Sequence, residues 1–209
     1  MGEYFKEALR AIANTLEIPV VIILLILIIL TVVQIGIIIG EYFNERKTLT
    51  EKIPELLDKI QDKDNLEQTI ENSGILKRQK IALLELTKHK EFSDNTLDAL
   101  AIRELEEEQE FYKKRIKSSD LIARLGPMLG LLGTLIPLGP GIVALSRGDV
   151  TTLSMSLSTA FDTTIAGLTC ASFAYVISSI RKTWYGNYMS MLEALMEGVL
   201  EVQKGAQRK

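Results

Sequence analysis

Across 209 residues, 24 basic and 27 acidic side chains leave a formal net charge of -3, too small a bias to recruit nucleic acid. One cysteine excludes a disulfide framework, and one histidine, His89, set among charged neighbours, leaves a metal site without partners. The charges are pushed out of three long apolar blocks, a distribution that a soluble globular domain does not need.

The first block, Ile18 to Gly40, carries no charge between Glu17 and Glu41 and, apart from Gln34, has no polar face. It is long enough to cross a hydrocarbon core of roughly 30 Å at ~1.5 Å per residue. A cleavable leader would have a shorter apolar region nearer the N-terminus and a small-residue cleavage site after it. Neither is present, so the segment is expected to stay as a transmembrane helix. Ahead of it, residues 1–17 place Tyr4, Phe5, Leu9 and Ile12 on one face, the pattern of a short interfacial helix.

Lysines and arginines set the orientation. Arg46, Lys47 and Lys52 follow the first span, Lys113, Lys114, Arg115, Lys117 and Arg124 precede the second, and Arg181 and Lys182 follow the third. The opposite side holds only Lys6, Arg10 and Arg147. The positive-inside bias therefore predicts an N-terminus outside and a C-terminus in the cytoplasm of a multi-pass protein of the cell (inner) membrane.

Residues 41–122 then form a cytoplasmic helical insert. Pro54 falls early in one helix, Asp64-Asn65 reads as a cap, Asn72-Ser73-Gly74 as a stop and Ser93-Asp94 as a new start. From Asp94, apolar residues recur at Leu97, Ala101, Leu105, Tyr112 and Ile116, a helical stripe with an acidic opposite face. No proline or glycine interrupts this run before Ile122, so the helix is expected to continue into the second span, 123–146. An outside turn, 147–150, leads to the third span, 151–181. In the tail, 182–209, Tyr188, Met191, Leu192, Leu195, Met196, Val199 and Val202 keep helical spacing. Trp184 and Tyr185 stand where an interfacial aromatic belt would lie. The fold class is an all-α integral membrane protein: three transmembrane helices with long cytoplasmic helical extensions.

The second and third spans carry the chemistry. Gly126, Gly130 and Gly133 recur at four- and three-residue steps, which lets a neighbouring helix approach closely. Gly167 plays the same part in the third span. Pro137 and Pro140 each remove a backbone donor within the second span, tolerated where the backbone is buried in protein or lines a wet cavity. The third span is dense in hydroxyls, among them Thr159, Thr163 and Thr164, and holds one acid, Asp162. A helical hydroxyl can bond its own backbone, but an acid in mid-span costs roughly 2.5–3.5 kcal/mol to insert and must face protein or water. Asp162 reads either as part of an ion track or as an acid tied structurally to its hydroxyl neighbours. No Ser-His arrangement, His pair or membrane-embedded acid pair is present, so neither an enzyme nor a cofactor is expected.

The GLLGT stretch, Gly130 to Thr134, and the AFDTTIAGL stretch, Ala160 to Leu168, resemble motifs of the MotA/TolQ/ExbB proton-channel proteins. The order of parts is similar as well, and is closer to ExbB and TolQ than to MotA, which has an additional span before its cytoplasmic domain. The resemblance implies a homopentamer whose second and third spans line a pore. It also implies a dimeric single-span partner similar to ExbD, TolR or MotB, whose aspartate accepts the proton. Thr134 and Thr164 match the family's pore threonines. Ion flow through such a pore would drive mechanical work or transport; the alternative reading is a non-conducting oligomeric membrane scaffold. Two positions depart from the pattern. Thr159 stands where ExbB and TolQ commonly carry glutamate, with Asp162 three residues later, and Phe173 replaces a proline.

Overall fold

A computed structural model describes residues 2–46, 53–60, 66–89 and 91–207. The described residues are all-helical, without a strand: α1 (Gly2–Glu41), a π-helical turn (Tyr42–Arg46), α2 (Ile53–Ile60), α3 (Leu66–Asn72), α4 (Lys77–Lys88), α5 (Asp94–Ser146) and α6 (Val150–Gln207). Three helices carry stretches long and apolar enough to cross a membrane, within Glu7–Asn44, Asp94–Ser146 and Val150–Gly205. The protein is therefore an all-α membrane protein.

The local punctuation explains several boundaries. α3 ends at Asn72, where the Ser73 amide and hydroxyl both donate to the Ile70 carbonyl, at 3.3 and 2.5 Å. α5 begins at Asp94, with the Thr96 and Leu97 amides donating to the Ser93 carbonyl at 2.9 and 3.0 Å. Pro54 occupies the second position of α2, where a missing amide hydrogen costs nothing. The Asp64-Asn65 cap lies outside the described residues, as do Lys47 and Lys52. Residues 1–17 are not a separate element, because α1 continues through Pro19 to Glu41. α5 is one helix of 53 residues that absorbs Pro127, Pro137 and Pro140 without a break.

The chain divides into two compact units, Met1–Ile37 with Lys117–Ser179, and Ile38–Ile116 with Ile180–Lys209. In the first, α1 buries Val20 and Leu24 beside Ile136, and Leu27 beside Ile122, Cys170 and Ala174. Gln34, the one amide side chain of the first span, donates to the Ser118 hydroxyl at 2.8 Å and accepts from Ser119 at 3.4 Å. Those bonds remove the cost of a bare amide in an apolar setting. Much of the apolar bulk points outward: Ile29, Leu135 and Ile165 are each about 60% exposed, as lipid-facing side chains should be.

The second unit is packed the opposite way. Leu56, Ile60, Ile70, Leu83 and Leu86 surround Leu192, Leu195 and Val199 of α6 in one buried core. Each such side chain contributes ~1.5–3 kcal/mol by leaving water. The stripe expected on α5 buries Leu97, Ala101 and Tyr112, and that of the tail buries Tyr188 through Val199. Gln79, fully enclosed, accepts from the Leu76 amide at 3.2 Å and donates to the Tyr188 carbonyl at 2.9 Å.

Candidate functional site

Glycine brings α5 and α6 into backbone contact. A methyl group built on Gly126 would stand 2.6 Å from the Gly167 carbonyl oxygen, and one on Gly133 would stand 2.6 Å from the Thr163 side chain. One on Gly167 would collide with the Gly126 carbonyl, and Gly130 lies against the backbone of Thr163, Thr164 and Gly167. The seam extends to Gly141, whose added methyl would meet Ser156 at 2.9 Å. With only glycine and small side chains between the helices, dispersion contacts accumulate along both backbones.

The hydroxyls flanking this seam bond back to their own helices. Thr134 donates to the Leu131 carbonyl at 2.7 Å, Thr159 to Met155 at 3.2 Å and Thr164 to Ala160 at 3.1 Å. Thr163 shares its proton between Thr159 and Ala160, at 3.1 and 3.0 Å. Each hydroxyl keeps its acceptor lone pairs, so a returned bond leaves it able to accept a hydrogen bond from water or from a protonated acid.

Helix geometry sorts the candidate residues onto three faces. Thr163 is buried in the seam under Gly133. Thr134 and Thr164 are half-buried, each one residue past a seam position. At about 100° per residue, Thr134 is turned about 160° from Ile136 and Thr164 about 120° from Cys170, the residues that meet α1. In an antiparallel pair those rotations carry both threonines to the same side, the one away from α1. Asp162 is exposed and about 160° from Thr164, since residues two apart on a helix point in opposing directions. Thr159 is half-buried and flanks the seam on the side of Asp162. Asp162 makes no hydrogen bond or ion pair with any described residue, so no described hydroxyl ties it down. A single lining surface cannot hold Thr164 and Asp162 together within one subunit.

At the N-terminus of α6, Asp149 accepts from the Thr152 amide at 3.0 Å and from its hydroxyl at 2.5 Å. Those bonds hold its carboxyl below the usual range, the hydroxyl contributing most. His89 stacks on Phe92 with centroids 4.6 Å apart. Among the described residues, no three metal-binding side chains gather.

One charged cluster escapes a linear reading of the chain. In the second unit, Glu41 is buried and accepts from Arg115 at 2.9 Å, from Arg181 at 3.3 and 3.4 Å, and from the Tyr185 hydroxyl at 3.1 Å. Arg181, one of the bases that set the orientation, is only 2% exposed. Tyr185 is enclosed too, not part of an interfacial belt, because its hydroxyl has this carboxylate to bond. Burial, and then the Glu41 charge, push the Tyr185 phenol up to about 12. The available signal was Glu41 itself, an acid directly adjoining the apolar run of the first span.

A model of the MotA/TolQ/ExbB proton channel family matches residues 64–194. The match takes in both motif stretches, the glycine seam and the Thr134 and Thr164 flank, and leaves the first span outside it. No curated protein matches the chain.

Proposed function

The chain belongs to the MotA/TolQ/ExbB proton channel family, and from that premise we propose that it is the pore-forming subunit of an ion channel in the cell membrane. Five copies form a ring, and the flanks carrying Thr134 and Thr164 face its axis. A dimeric single-span partner of the ExbD, TolR or MotB kind occupies the axis and carries the titrating acid. The two threonines offer oxygens to water and to that acid without ionising. Protons moving along this track turn the partner against the ring, converting the gradient into mechanical work or transport. The cycle involves no enzymatic reaction. The N-terminus lies outside, and the C-terminus, with the α2–α4 core, in the cytoplasm.

The observation that carries this reading is the shared flank. Thr134 and Thr164 come from different helices and different motifs, yet both lie on the side of the α5–α6 pair that α1 leaves open. On this reading Asp162 and Thr159 face an adjacent subunit, where an acid in mid-span finds protein partners. A non-conducting scaffold would use the glycine seam equally well but has no use for the threonine flank.

Reconstitution of the chain with its partner in vesicles under a proton gradient separates the two. Thr164→Val and Thr134→Val keep shape and remove the hydroxyl. Partner-dependent proton flux is expected to fall to the level of vesicles lacking the partner, while the assembly keeps its mass. Undiminished flux in both variants would sink the channel assignment. Asp162→Asn is expected to weaken the ring, seen as loss of assembly mass in detergent, ahead of any change in flux per intact ring.

A further inference from the structure

Within the first unit, α1, α5 and the N-terminus of α6 enclose a groove of about 700 Å³. Its walls are apolar, formed by Leu16, Leu135, Ile136 and Val143, and Arg10 and Arg147 also line it. The two arginines come from segments far apart in sequence. Arg147 follows directly on the end of α5, where its apolar run gives way to the polar turn. Neither arginine has an acid partner among the described residues. Asp149 also lines the groove, its carboxylate held ionised by the Thr152 amide and hydroxyl, so the lining carries two guanidiniums against one carboxylate.

We propose that this groove is a binding site for one anionic phospholipid, whose phosphate bridges Arg10 and Arg147 and whose acyl chain lies along Leu16, Leu135, Ile136 and Val143. The chemistry is complementary at each level. A guanidinium presents paired donors that match phosphate oxygens, and two guanidiniums against the single Asp149 carboxylate leave a net positive charge that zwitterionic headgroups do not offset. The apolar wall begins where the arginines end, which is the order of headgroup and chain in a leaflet. Basic pockets between transmembrane helices take anionic headgroups in this manner. The inference requires only that the chain span a membrane, so it stands or falls independently of conduction.

The test uses the full chain purified in detergent and titrated with dioleoyl phosphatidylglycerol or dioleoyl phosphatidylcholine, with bound lipid counted by native mass spectrometry. The anionic lipid is expected to bind about tenfold or more tightly than the zwitterionic one, given two arginines at the headgroup. Arg10→Gln/Arg147→Gln should abolish the preference while leaving the lipid-free melting temperature unchanged. Equal binding of the two lipids, or a preference that survives in the double variant, overturns the proposal. So does full competition by free glycerol phosphate, which would mark a phosphate site and not a lipid site. A Leu135→Cys variant that cross-links between copies and excludes lipid would assign the groove to a second subunit.

Discussion

The two units use the same pair of long helices in opposite ways. From 117 to 179, α5 and α6 meet through glycine and a buried threonine, and their bulk points outward. Over 94–116 and 180–207 the same helices turn leucine, methionine and tyrosine inward against α2–α4. In the first case the surroundings are lipid, which gives apolar side chains no reason to hide, so close backbone approach and returned hydroxyl bonds hold the pair. In the second, water drives the apolar faces together. A continuous helix can therefore change what it is stabilised by partway along its length, and substitutions of one kind should have different effects in the two units.

The largest effect is expected for charge, where the inward packing of the second unit separates a buried pair from an exposed one. Arg181→Ala leaves Glu41 buried with one guanidinium fewer, and breaking a buried pair costs ~3–5 kcal/mol; the remaining Arg115 contact sets the loss at the low end of that range. Arg78 pairs with Glu108 at 2.7 Å but is itself 45% exposed, so Arg78→Ala should cost about 1 kcal/mol or less. Denaturant unfolding of the two variants reads this directly. Similar losses would mean that the Glu41 cluster is solvated and that the inward packing of the second unit stops short of it.

Glycine to alanine should change sign between the units. Gly126→Ala forces a methyl onto the Gly167 carbonyl, and overpacking of this kind costs ~1–3 kcal/mol. Gly186, in the second unit, has nothing within 4 Å of an added methyl, so Gly186→Ala should stabilise by about 0.5–1 kcal/mol through helix propensity alone. Thermal unfolding in one detergent gives both shifts. A neutral Gly126→Ala would remove the close backbone contact on which the seam depends.

How far the chain could be read in advance follows from the same contrast. The spans, the stop at Asn72, the start at Asp94 and the glycine steps at 126, 130 and 133 are local signals, each carried by residue types within a turn or two. The opposed directions of Asp162 and Thr164 were also legible, since residues two apart on a helix cannot share a face. The Glu41–Arg181 pair joins residues 140 apart, and no periodicity reveals which of many charges will be buried together. Arg181 entered the sequence reading only through the positive-inside bias, which depends on the position of a charge and not on its burial.

The smallest effect probes the same cluster without removing a charge. The Tyr185 phenol titrates near 12 in the folded protein, against about 10 in an unfolded chain. Between those values the unfolded state releases its proton first, so folding stability falls as pH rises from about 10 and levels off above the folded value. Below pH 10 both states hold the proton and the group adds no pH dependence. Tyr185→Phe should flatten this alkaline decline while lowering stability modestly at neutral pH, because one hydrogen bond to Glu41 is lost. Absorbance near 295 nm supplies a second reading: the late-titrating phenolate should vanish from the difference spectrum of the variant. If Tyr185→Phe leaves both the alkaline stability profile and the late phenolate signal in place, Glu41 and Tyr185 are open to water, and the inward-packed character of the second unit does not reach α1.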